Sequence, residues 1–231
     1  MGQLKSSSPF FKPGPPARIG ETSPEIISFL AGKVEGEILD LGGGMGAYAQ
    51  ALRALGHKVT VGELDPVCLE ELRRLGIPSL DMNKVAWEDL RSRFDTVMLI
   101  EVLEHVVDAG EFLKLAASCA RRKLLLTVPC NDDFESLFRF SLTYNHIAVS
   151  DHLHQFTSGE IDSLMKQTGW DYRLKTGGYL FPSAALYMLV TSLKKHRLAL
   201  LSLWPLRILE KLGTLPRLYP SRIFVDATRR P

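Results

Sequence analysis

Between Glu37 and Val128 the chain alternates short apolar runs with longer amphipathic stretches. This pattern is typical of strand-helix-strand units that build a parallel sheet. It predicts five strands, at Glu37–Leu41, Lys58–Glu63, Pro78–Leu80, Asp95–Ile100 and Leu124–Val128. The stretches between them predict helices at Ala47–Leu55, Pro66–Leu75, Val85–Arg91 and Ala109–Ala120. We therefore expect an α/β fold with a doubly wound, mostly parallel sheet.

Helix-start signals and two further strands complete this pattern. Thr22–Glu25 predicts a helix to about Gly32, because Thr22 can cap it, the following proline suits a first turn and Glu25 can reach back to the cap. A second capping box at Thr157–Glu160 predicts a helix that ends near Gly169. Strands at Tyr172–Lys175 and Ile223–Thr228 bring the predicted sheet to seven strands.

Two segments differ from this regular pattern. Residues 1–20 are rich in Ser, Pro and Gly and predict a flexible N-terminal arm, which leaves residues 21–231 as one domain. Residues 177–221 are mostly apolar but are interrupted by prolines, and they predict a helical insert before the last strand. The helices expected in it are Ser183–Leu193 and Leu198–Leu212. An interruption of this length is usually functional.

Charge is distributed unevenly along a chain whose formal net charge is only +2. Up to Tyr172 the acidic residues outnumber Lys and Arg, whereas from Arg173 onward 11 Lys and Arg accompany only Glu210 and Asp226. This asymmetry favours a C-terminal surface that meets an anionic partner, although solvated helix faces would produce it too. The acidic first part argues against nucleic acid as that partner.

The cysteines and the hydropathy pattern predict a cytoplasmic protein. Cys68, Cys119 and Cys130 are widely spaced, odd in number and without a Cys-x-x-Cys pair, which favours a reducing compartment. No secretory leader is visible, and the longest apolar run, near Ala184–Val190, is far shorter than the roughly 20 residues that span a bilayer. We expect a location in the cytoplasm, including the inner face of a membrane if the basic surface binds lipid.

A glycine-rich turn over residues 42–46 follows the first predicted strand directly and precedes a helix. Such a turn lets backbone atoms approach a ligand closely. The spacing Gly42-x-Gly44-x-x-Ala47 fits the dinucleotide fingerprint, and Glu63 lies near the distance expected for a ribose-binding acid. The turn therefore predicts a nucleotide-like ligand and leaves NAD and S-adenosylmethionine open.

Further motifs follow the turn in a characteristic order. They are Asp40 before the glycines, Glu63-Leu64-Asp65-Pro66, Leu80-Asp81-Met82, and a block from Phe94 to Val106 that includes Glu101-Val102-Leu103-Glu104-His105. Together they resemble the class I, Rossmann-like methyltransferases, which use S-adenosylmethionine. The last block is especially similar to the ubiquinone-biosynthesis O-methyltransferases. The resemblance covers residues 37–175 and implies the seven-stranded class I fold, with the insert outside it.

The resemblance also implies which residues hold the cofactor. Asp40 and the turn that contains Gly42, Gly43, Gly44 and Gly46 would seat its methionine part. Glu63 would bind the ribose hydroxyls, since a carboxylate accepts two hydrogen bonds side by side. Asp65 is its rival, although Asp65-Pro66 is typical of a helix start. Asp81 would meet the adenine amino group, Leu64 and Met82 would flank the ring, and the backbone at Ile100 and Glu101 would close the pocket.

Acidic and histidine side chains are the candidates for catalysis. Glu101, Glu104 and His105 share one face if their segment is helical. With His152 they resemble the magnesium site of the small-RNA 2′-O-methyltransferases, which is built from two carboxylates and two histidines. The match is partial, because His154 replaces an aromatic residue of that family. The alternative is that His152 or His154 acts as a general base beside Glu104 and His105.

We therefore expect an S-adenosylmethionine-dependent methyltransferase that acts on an oxygen or nitrogen of a small or lipid-linked acceptor. The 177–221 insert would form a lid on the acceptor side, and its basic residues, including Lys194, Lys195 and Arg197, also suit an anionic membrane surface. Three alternatives stay open: a metal-dependent RNA 2′-O-methyltransferase, an NAD-dependent oxidoreductase and a non-catalytic S-adenosylmethionine-binding protein. The pattern specifies no oligomeric state.

Overall fold

The computed structural model describes residues 22–132, 152–178, 205 and 220–230. The predicted N-terminal arm over residues 1–20 lies outside the described residues. So do almost all residues of the two helices predicted in the insert, Ser183–Leu193 and Leu198–Leu212.

One seven-stranded sheet organises the described part of the chain, with the strand order β3-β2-β1-β4-β5-β7-β6. Its strands are β1 (Glu37–Leu41), β2 (Lys58–Glu63), β3 (Ser79–Asp81), β4 (Phe94–Ile100), β5 (Ala120–Pro129), β6 (Asp171–Gly177) and β7 (Arg222–Thr228). The first five run parallel, whereas β7 lies antiparallel between β5 and β6. The predicted doubly wound, mostly parallel sheet is confirmed.

Six α-helices and one short 3-10 turn are described with these strands. They are α1 (Pro24–Ala31), α2 (Ala47–Ala54), α3 (Pro66–Arg74), α4 (Trp87–Leu90), the 3-10 turn (Leu103–His105), α5 (Ala109–Cys119) and α6 (Ser158–Thr168). Within the described ranges, no helix has both the length and the apolar character needed to cross a membrane.

The helices cover both faces of the sheet, as alternating strand side chains require. On one face, Leu39, Leu124 and Leu126 pack in a buried cluster with α5 and α6. On the other face, Ile38 and Leu125 join a second cluster with α1, α2 and α3. Neighbouring residues of β1 and β5 therefore pack into buried clusters on opposite faces of the sheet, which explains the continuous apolar runs in the sequence.

Most predicted bounds agree with the observed elements to within a residue or two, and the differences are local. The bounds of β1 and β2 are as predicted, whereas β3 begins one residue later than expected. Helix α4 is only four residues long and shorter than the predicted Val85–Arg91. The capping box at the start of α6 is confirmed, with both hydrogen bonds between Thr157 and Glu160 present.

The start of α1 differs from its predicted capping box. Ser23, not Thr22, is the N-cap residue, and it makes no side-chain capping hydrogen bond. The carboxylate of Glu25 does not reach back to the cap but accepts the backbone N–H of Gly178 at 2.9 Å. The capping-box prediction is therefore wrong here, because a tertiary contact uses the acid that a local motif would have needed.

Helices α2 and α3 meet at Gly46, the N-cap residue of α2, which has a φ of +81°. A β-carbon at this position would lie 2.6 Å from Cδ2 of Leu72 and 2.9 Å from Cδ1 of Ile77. Both neighbours are buried. Glycine is thus required both by the backbone conformation and by the close approach of the core.

We predict that Gly46→Ala lowers the free energy of unfolding by about 1–3 kcal/mol, because it adds backbone strain to a close contact in the core. Chemical denaturation measures this. Gly159→Ala is the matched control, since a β-carbon there meets nothing within 4 Å in the first turn of α6. The control should stay unchanged or gain up to about 1 kcal/mol. Equal effects of the two substitutions would contradict the packing argument.

Candidate functional site

The carboxyl ends of the parallel strands bring most of the sequence-predicted acids to one edge of the sheet. Asp40 lies near the end of β1, Glu63 and Asp81 end β2 and β3, and Glu101 follows β4. Glu63 and Asp81 are also direct partners in the register of β2 and β3. In open α/β sheets this edge is where ligands bind. The structure therefore groups the predicted cofactor residues on the expected side.

The turn after β1 is held close to the neighbouring elements. Gly42 has a φ of +77°, and its backbone N–H donates to the carbonyl of Gly62 in β2 at 2.7 Å. A β-carbon on Gly43 would lie 2.6 Å from Oδ2 of Asp40. The turn thus presents bare backbone at the start of α2, the arrangement that accommodates nucleotide-like ligands.

Asp40 is a buried carboxyl group with an unusual environment. Its exposure is 1%, and among the described residues its Oδ2 atom has no hydrogen-bond partner. Burial, with a smaller contribution from the charge of Glu63, raises the pKa of Asp40 to about 7. A buried acceptor is costly without a donor or a cation. The site is therefore suited to a ligand that brings positive charge or an N–H group.

Glu63 connects the turns that follow β1 and β2. Its Oε2 atom accepts the N–H of Gly44 at 2.8 Å, and its Oε1 atom accepts the N–H groups of Leu64 at 2.6 Å and Asp65 at 3.1 Å. The carboxylate is thereby fixed at the carboxyl end of β2.

Asp65, the rival of Glu63 in the sequence, has a different position. Its carboxylate caps α3 by accepting the N–H groups of Val67 at 2.7 Å and Cys68 at 3.3 Å. This is the helix-start role that the Asp65-Pro66 pair indicated.

A narrow cleft opens beside these carboxylates. Its walls are Leu41, Gly42, Gly62, Glu63, Leu64, Met82, Trp87 and Phe112. Gly42, Glu63, Leu64 and Met82 were predicted from sequence. Trp87 and Phe112 were not predicted. Their rings meet edge to face, with centroids 5.7 Å apart. Its mostly apolar walls, with one carboxylate among them, allow the cleft to contact a flat ring.

Asp81 ends β3 next to Met82, which lines the cleft. Its carboxylate accepts the N–H and the side-chain amide of Asn83, each at 3.1 Å, and pairs with Lys84 at 2.7 Å. The hydrogen bond from Lys84 is the main cause that lowers the pKa of Asp81. The Asn83 amide also donates to the carbonyl of Leu64 at 2.8 Å. Asn83, which the sequence analysis missed, therefore ties the ends of β2 and β3 together.

Glu101 does not share a helical face with Glu104 and His105, and that expectation is wrong. The 3-10 turn begins only at Leu103, and Glu101 has a φ of +55°, outside helical geometry. Its carboxylate pairs with Arg222 at 3.1 Å and accepts the hydroxyl of Thr127 at 2.7 Å. Glu101 is therefore turned toward β5 and β7.

Glu104, His105 and His152 form the acid-histidine cluster, in which the potential ligand atoms all lie within 4.8 Å of one another. Glu104 is buried, and its Oε1 atom is 4.0 Å from Nε2 of His105. The two histidine rings meet edge to face with centroids 4.8 Å apart. Three of the four predicted metal ligands thus come together, whereas Glu101 is not part of the group.

His154 lies near the cluster but is bound to backbone. Its Nε2 atom is 2.9 Å from the carbonyl of Val106, and its ring stacks on Phe156 with centroids 5.3 Å apart. A carbonyl can only accept, so the imidazole must carry a proton on Nε2. The chain from residue 153 to 154 is itself held by the carbonyl of Glu104, which accepts both backbone N–H groups.

Comparison with known proteins identifies a family for most of the chain. Residues 18–175 match the family model described as a methyltransferase domain. The ubiquinone biosynthesis O-methyltransferase of Pseudoalteromonas translucida is 32% identical over 123 residues, which are 48% of this chain and 50% of that protein. The protein of the same description from Xanthomonas euvesicatoria is 29% identical over 115 residues, or 46% and 48% of the two chains. The chain spans about half the length of the curated relatives it matches.

Solved structures share the fold at low sequence identity. A SAM-dependent methyltransferase from Archaeoglobus fulgidus has a TM-score of 0.59 at 15% identity, with 89% of this chain and 90% of that one covered. The magnesium protoporphyrin IX methyltransferase of Synechocystis PCC 6803, solved with bound SAM, has a TM-score of 0.52 at 17% identity, with 89% and 77% covered. The seven-stranded sheet described above is thus that of the class I methyltransferases.

The buried carboxyl group of Asp40 leads to a pH prediction. Its pKa is raised from 3.8 to about 7 in the folded protein, so the folded state binds a proton more tightly than the unfolded state. The stability it contributes is present at low pH and is lost as pH rises through that window, by up to about 1.4 kcal/mol per pH unit. Asp40→Asn removes this dependence.

Urea denaturation of the ligand-free protein and of Asp40→Asn at pH 5, 6, 7 and 8 measures the difference. We expect the wild type to lose stability relative to the variant as pH rises. Both proteins contain the same histidines, so their contribution to the pH dependence of stability cancels in the comparison. A difference that stays constant over these four pH values would show that Asp40 does not titrate there.

Proposed function

The chain belongs to the methyltransferase domain family, and from this we propose that it transfers a methyl group from S-adenosylmethionine to an acceptor oxygen or nitrogen. The observation that carries the proposal is the cleft at the carboxyl ends of β1, β2 and β3, with the hydrogen-bonded carboxylate of Glu63 in its wall. The family match favours S-adenosylmethionine over NAD, the two ligands that the glycine turn alone left open.

The residues present fit this cofactor. The glycine turn offers backbone without β-carbons, and the Asp40 carboxyl group faces it with an acceptor atom that needs a partner. We assign the methionine part to Asp40 and to Gly42, Gly43, Gly44 and Gly46, because a ligand ammonium group would compensate the buried acid.

The nucleoside part is assigned to the other end of the cleft. Glu63 would bind the ribose hydroxyls and Asp81 the adenine amino group, while Leu64 and Met82 flank the ring. The apolar walls formed by Trp87 and Phe112 support this assignment. The backbone at Ile100 and Glu101 would close the pocket beside the glycine turn.

The cofactor supplies an electrophilic methyl group on a cationic sulfur. The protein must align the acceptor and take up its proton, since methyl transfer is an in-line displacement. Glu104, His105 and His152 are the side chains best placed to do this. His152 is favoured over His154 as a general base, because the Nε2 atom of His154 is engaged by the Val106 carbonyl.

The same cluster would also suit a divalent cation such as magnesium, held by Glu104, His105 and His152. The mutual distance of these ligand atoms supports a cation site. The carboxylate suits magnesium or manganese, whereas the two imidazoles favour a transition metal ion. Glu101 would have to leave its ion pair with Arg222 to become a fourth ligand. A metal-dependent RNA 2′-O-methyltransferase is therefore the second candidate function.

For the acceptor, we propose a small or lipid-linked molecule bound on the side of the 177–221 insert. The insert leaves the sheet after β6 and returns before β7, at the same edge as the cleft. The name of the relatives, ubiquinone biosynthesis O-methyltransferase, supports a lipid-linked acceptor. The basic residues Lys194, Lys195 and Arg197 support contact with the anionic inner face of a membrane. A screen of aqueous and lipid extracts with methyl-labelled cofactor would distinguish the acceptors.

We predict that Glu63→Ala weakens binding of S-adenosylhomocysteine by about 1–3 kcal/mol, because the ribose hydroxyls lose their charged partner. Calorimetric titration measures the affinity. Asp65→Ala is the matched control, since Asp65 caps α3 and should affect stability more than binding. Loss of binding in the control alone would mean that the ribose assignment is wrong. A wild type that prefers NAD would contradict the proposed function.

We predict that the acid-histidine cluster binds a divalent cation and that His105→Ala weakens this binding by at least about ten-fold, as loss of a metal-site contact does. Titration with Mg²⁺ and Mn²⁺ measures it. The control is His57→Ala, because His57 directly precedes the amino end of β2, whereas the cleft lies at the carboxyl ends of the strands. If the wild type binds neither ion at millimolar concentration, the cluster is not a magnesium or manganese site, and His152 remains the candidate base.

A further inference from the structure

Glu101 has a backbone conformation that residues with a β-carbon rarely adopt. Its φ is +55°, in the left-handed region. This conformation turns the chain at the end of β4, so that the next residue, Val102, lies against the glycine turn. A β-carbon on Gly42 would be only 2.9 Å from Cγ2 of Val102. The backbone at Glu101 therefore determines how the segment after β4 meets the cleft.

Three contacts hold Glu101 in this conformation. Its N–H donates to the carbonyl of Thr127 at 3.0 Å, and the Thr127 hydroxyl donates to its Oε1 atom at 2.7 Å. Arg222 adds a forked contact, from Nε to Oε1 at 3.1 Å and from Nη2 to Oε2 at 3.4 Å. The ion pair is largely shielded, with side-chain exposures of 22% and 28%. A shielded, forked pair fixes geometry far better than an exposed one.

Arg222 lies where the insert rejoins the sheet. It is the first residue of β7, and its register partners are Pro129 in β5 and Gly177 in β6. The residue before it, Ser221, accepts the N–H of Cys130 and donates its own N–H to the carbonyl of Gly177, both at 3.0 Å. The side chain of Arg222 thus connects the root of the insert to the end of β4.

Tyr48 of α2 lies in the electrostatic field of the same charged groups. Burial raises the pKa of its half-buried hydroxyl, with smaller contributions from Arg222, which lowers it, and from Glu101 and Asp40, which raise it. That hydroxyl accepts the N–H of Ser23 at 3.2 Å. The charged groups at the insert root, at the end of β4 and in the proposed cofactor site are therefore close enough to act on one side chain of α2.

We propose that Arg222 is a positioning residue for the cofactor, which it acts on through Glu101 by fixing the backbone that closes the cleft. The proposal rests on the proposed function, since it concerns S-adenosylmethionine binding. Arg222 is not a catalytic residue in this account, because it contacts Glu101 and not the reacting atoms. Through this contact, the affinity for the cofactor depends on Arg222, where the insert rejoins the sheet.

The test is a calorimetric titration of the full chain with S-adenosylhomocysteine, together with the melting temperature. Arg222→Met should raise the Kd about ten-fold, the effect expected for losing a hydrogen bond to a charged group. Arg230→Met is the matched control, since Arg230 pairs with Asp171 at the opposite end of the same strands and is 66% exposed. Its Kd should stay unchanged. A merely structural role would lower the melting temperature of Arg222→Met without changing the Kd of the folded protein.

Two further variants complete the test. Arg222→Lys keeps the charge and should restore the Kd to within about three-fold of wild type, since a lysine makes one contact and not a fork. In a Glu101→Gly background, where glycine adopts the left-handed backbone without strain, Arg222→Met should change the Kd by less than about two-fold.

The outcomes separate this inference from the proposed function. If the wild type does not bind S-adenosylhomocysteine, the proposed function fails. If the wild type binds and Arg222→Met binds equally tightly, the positioning role is wrong. Should Arg222→Met not fold, Arg222→Gln decides in the same way, because it keeps polar donors but cannot reach Glu101 with a fork.

Discussion

The absence of β-carbons in the turn between β1 and α2 is the constraint on which the cleft depends. A β-carbon on Gly43 would meet Asp40 and Val61, and one on Gly46 would meet the core of α3. With glycine at these positions, the end of β1, the start of α2 and the segment after β4 approach to van der Waals contact. The ligand cleft is the space that this close approach leaves at the edge of the sheet.

That close packing also explains the electrostatics of the site. Asp40 is enclosed by the turn that it precedes, and so its charge is poorly solvated, while Glu63 adds a second negative charge nearby. Glu63 is compensated by three backbone N–H groups, whereas Oδ2 of Asp40 has no such donor among the described residues. The two carboxyl groups can therefore meet different parts of one ligand. Glu63, which already accepts backbone hydrogen bonds, suits hydroxyl groups, whereas Asp40, which lacks a donor at Oδ2 among the described residues, suits a cation.

The sequence predicted what depends on local pattern and missed what depends on distant contacts. Hydrophobic periodicity located the strands because both sheet faces are covered, but it missed the start of β5, which begins at Ala120 and not at Leu124. Of the motif residues, Gly42, Glu63, Leu64 and Met82 line the cleft. The cap of α1 was wrong because Glu25 binds Gly178, 153 positions away. Trp87 was not predicted as a cleft wall, because its pairing with Phe112 of α5 has no signature in spacing. The shared face of Glu101, Glu104 and His105 required a helical segment, and i, i+3, i+4 spacing cannot reveal that Glu101 has a positive φ.

The two halves of the site are therefore specified by different means. The proposed cofactor half is formed within about the first third of the domain by consecutive strand ends, so a short motif can encode it. The acid-histidine half needs Glu104 to hold the segment from residue 153 to 154 through its carbonyl, across nearly fifty positions. Glu101 lies between the halves, and its left-handed backbone is maintained by Thr127 and Arg222. Because Arg222 follows the insert directly, a residue outside the 18–175 family match is joined to Glu101 within it.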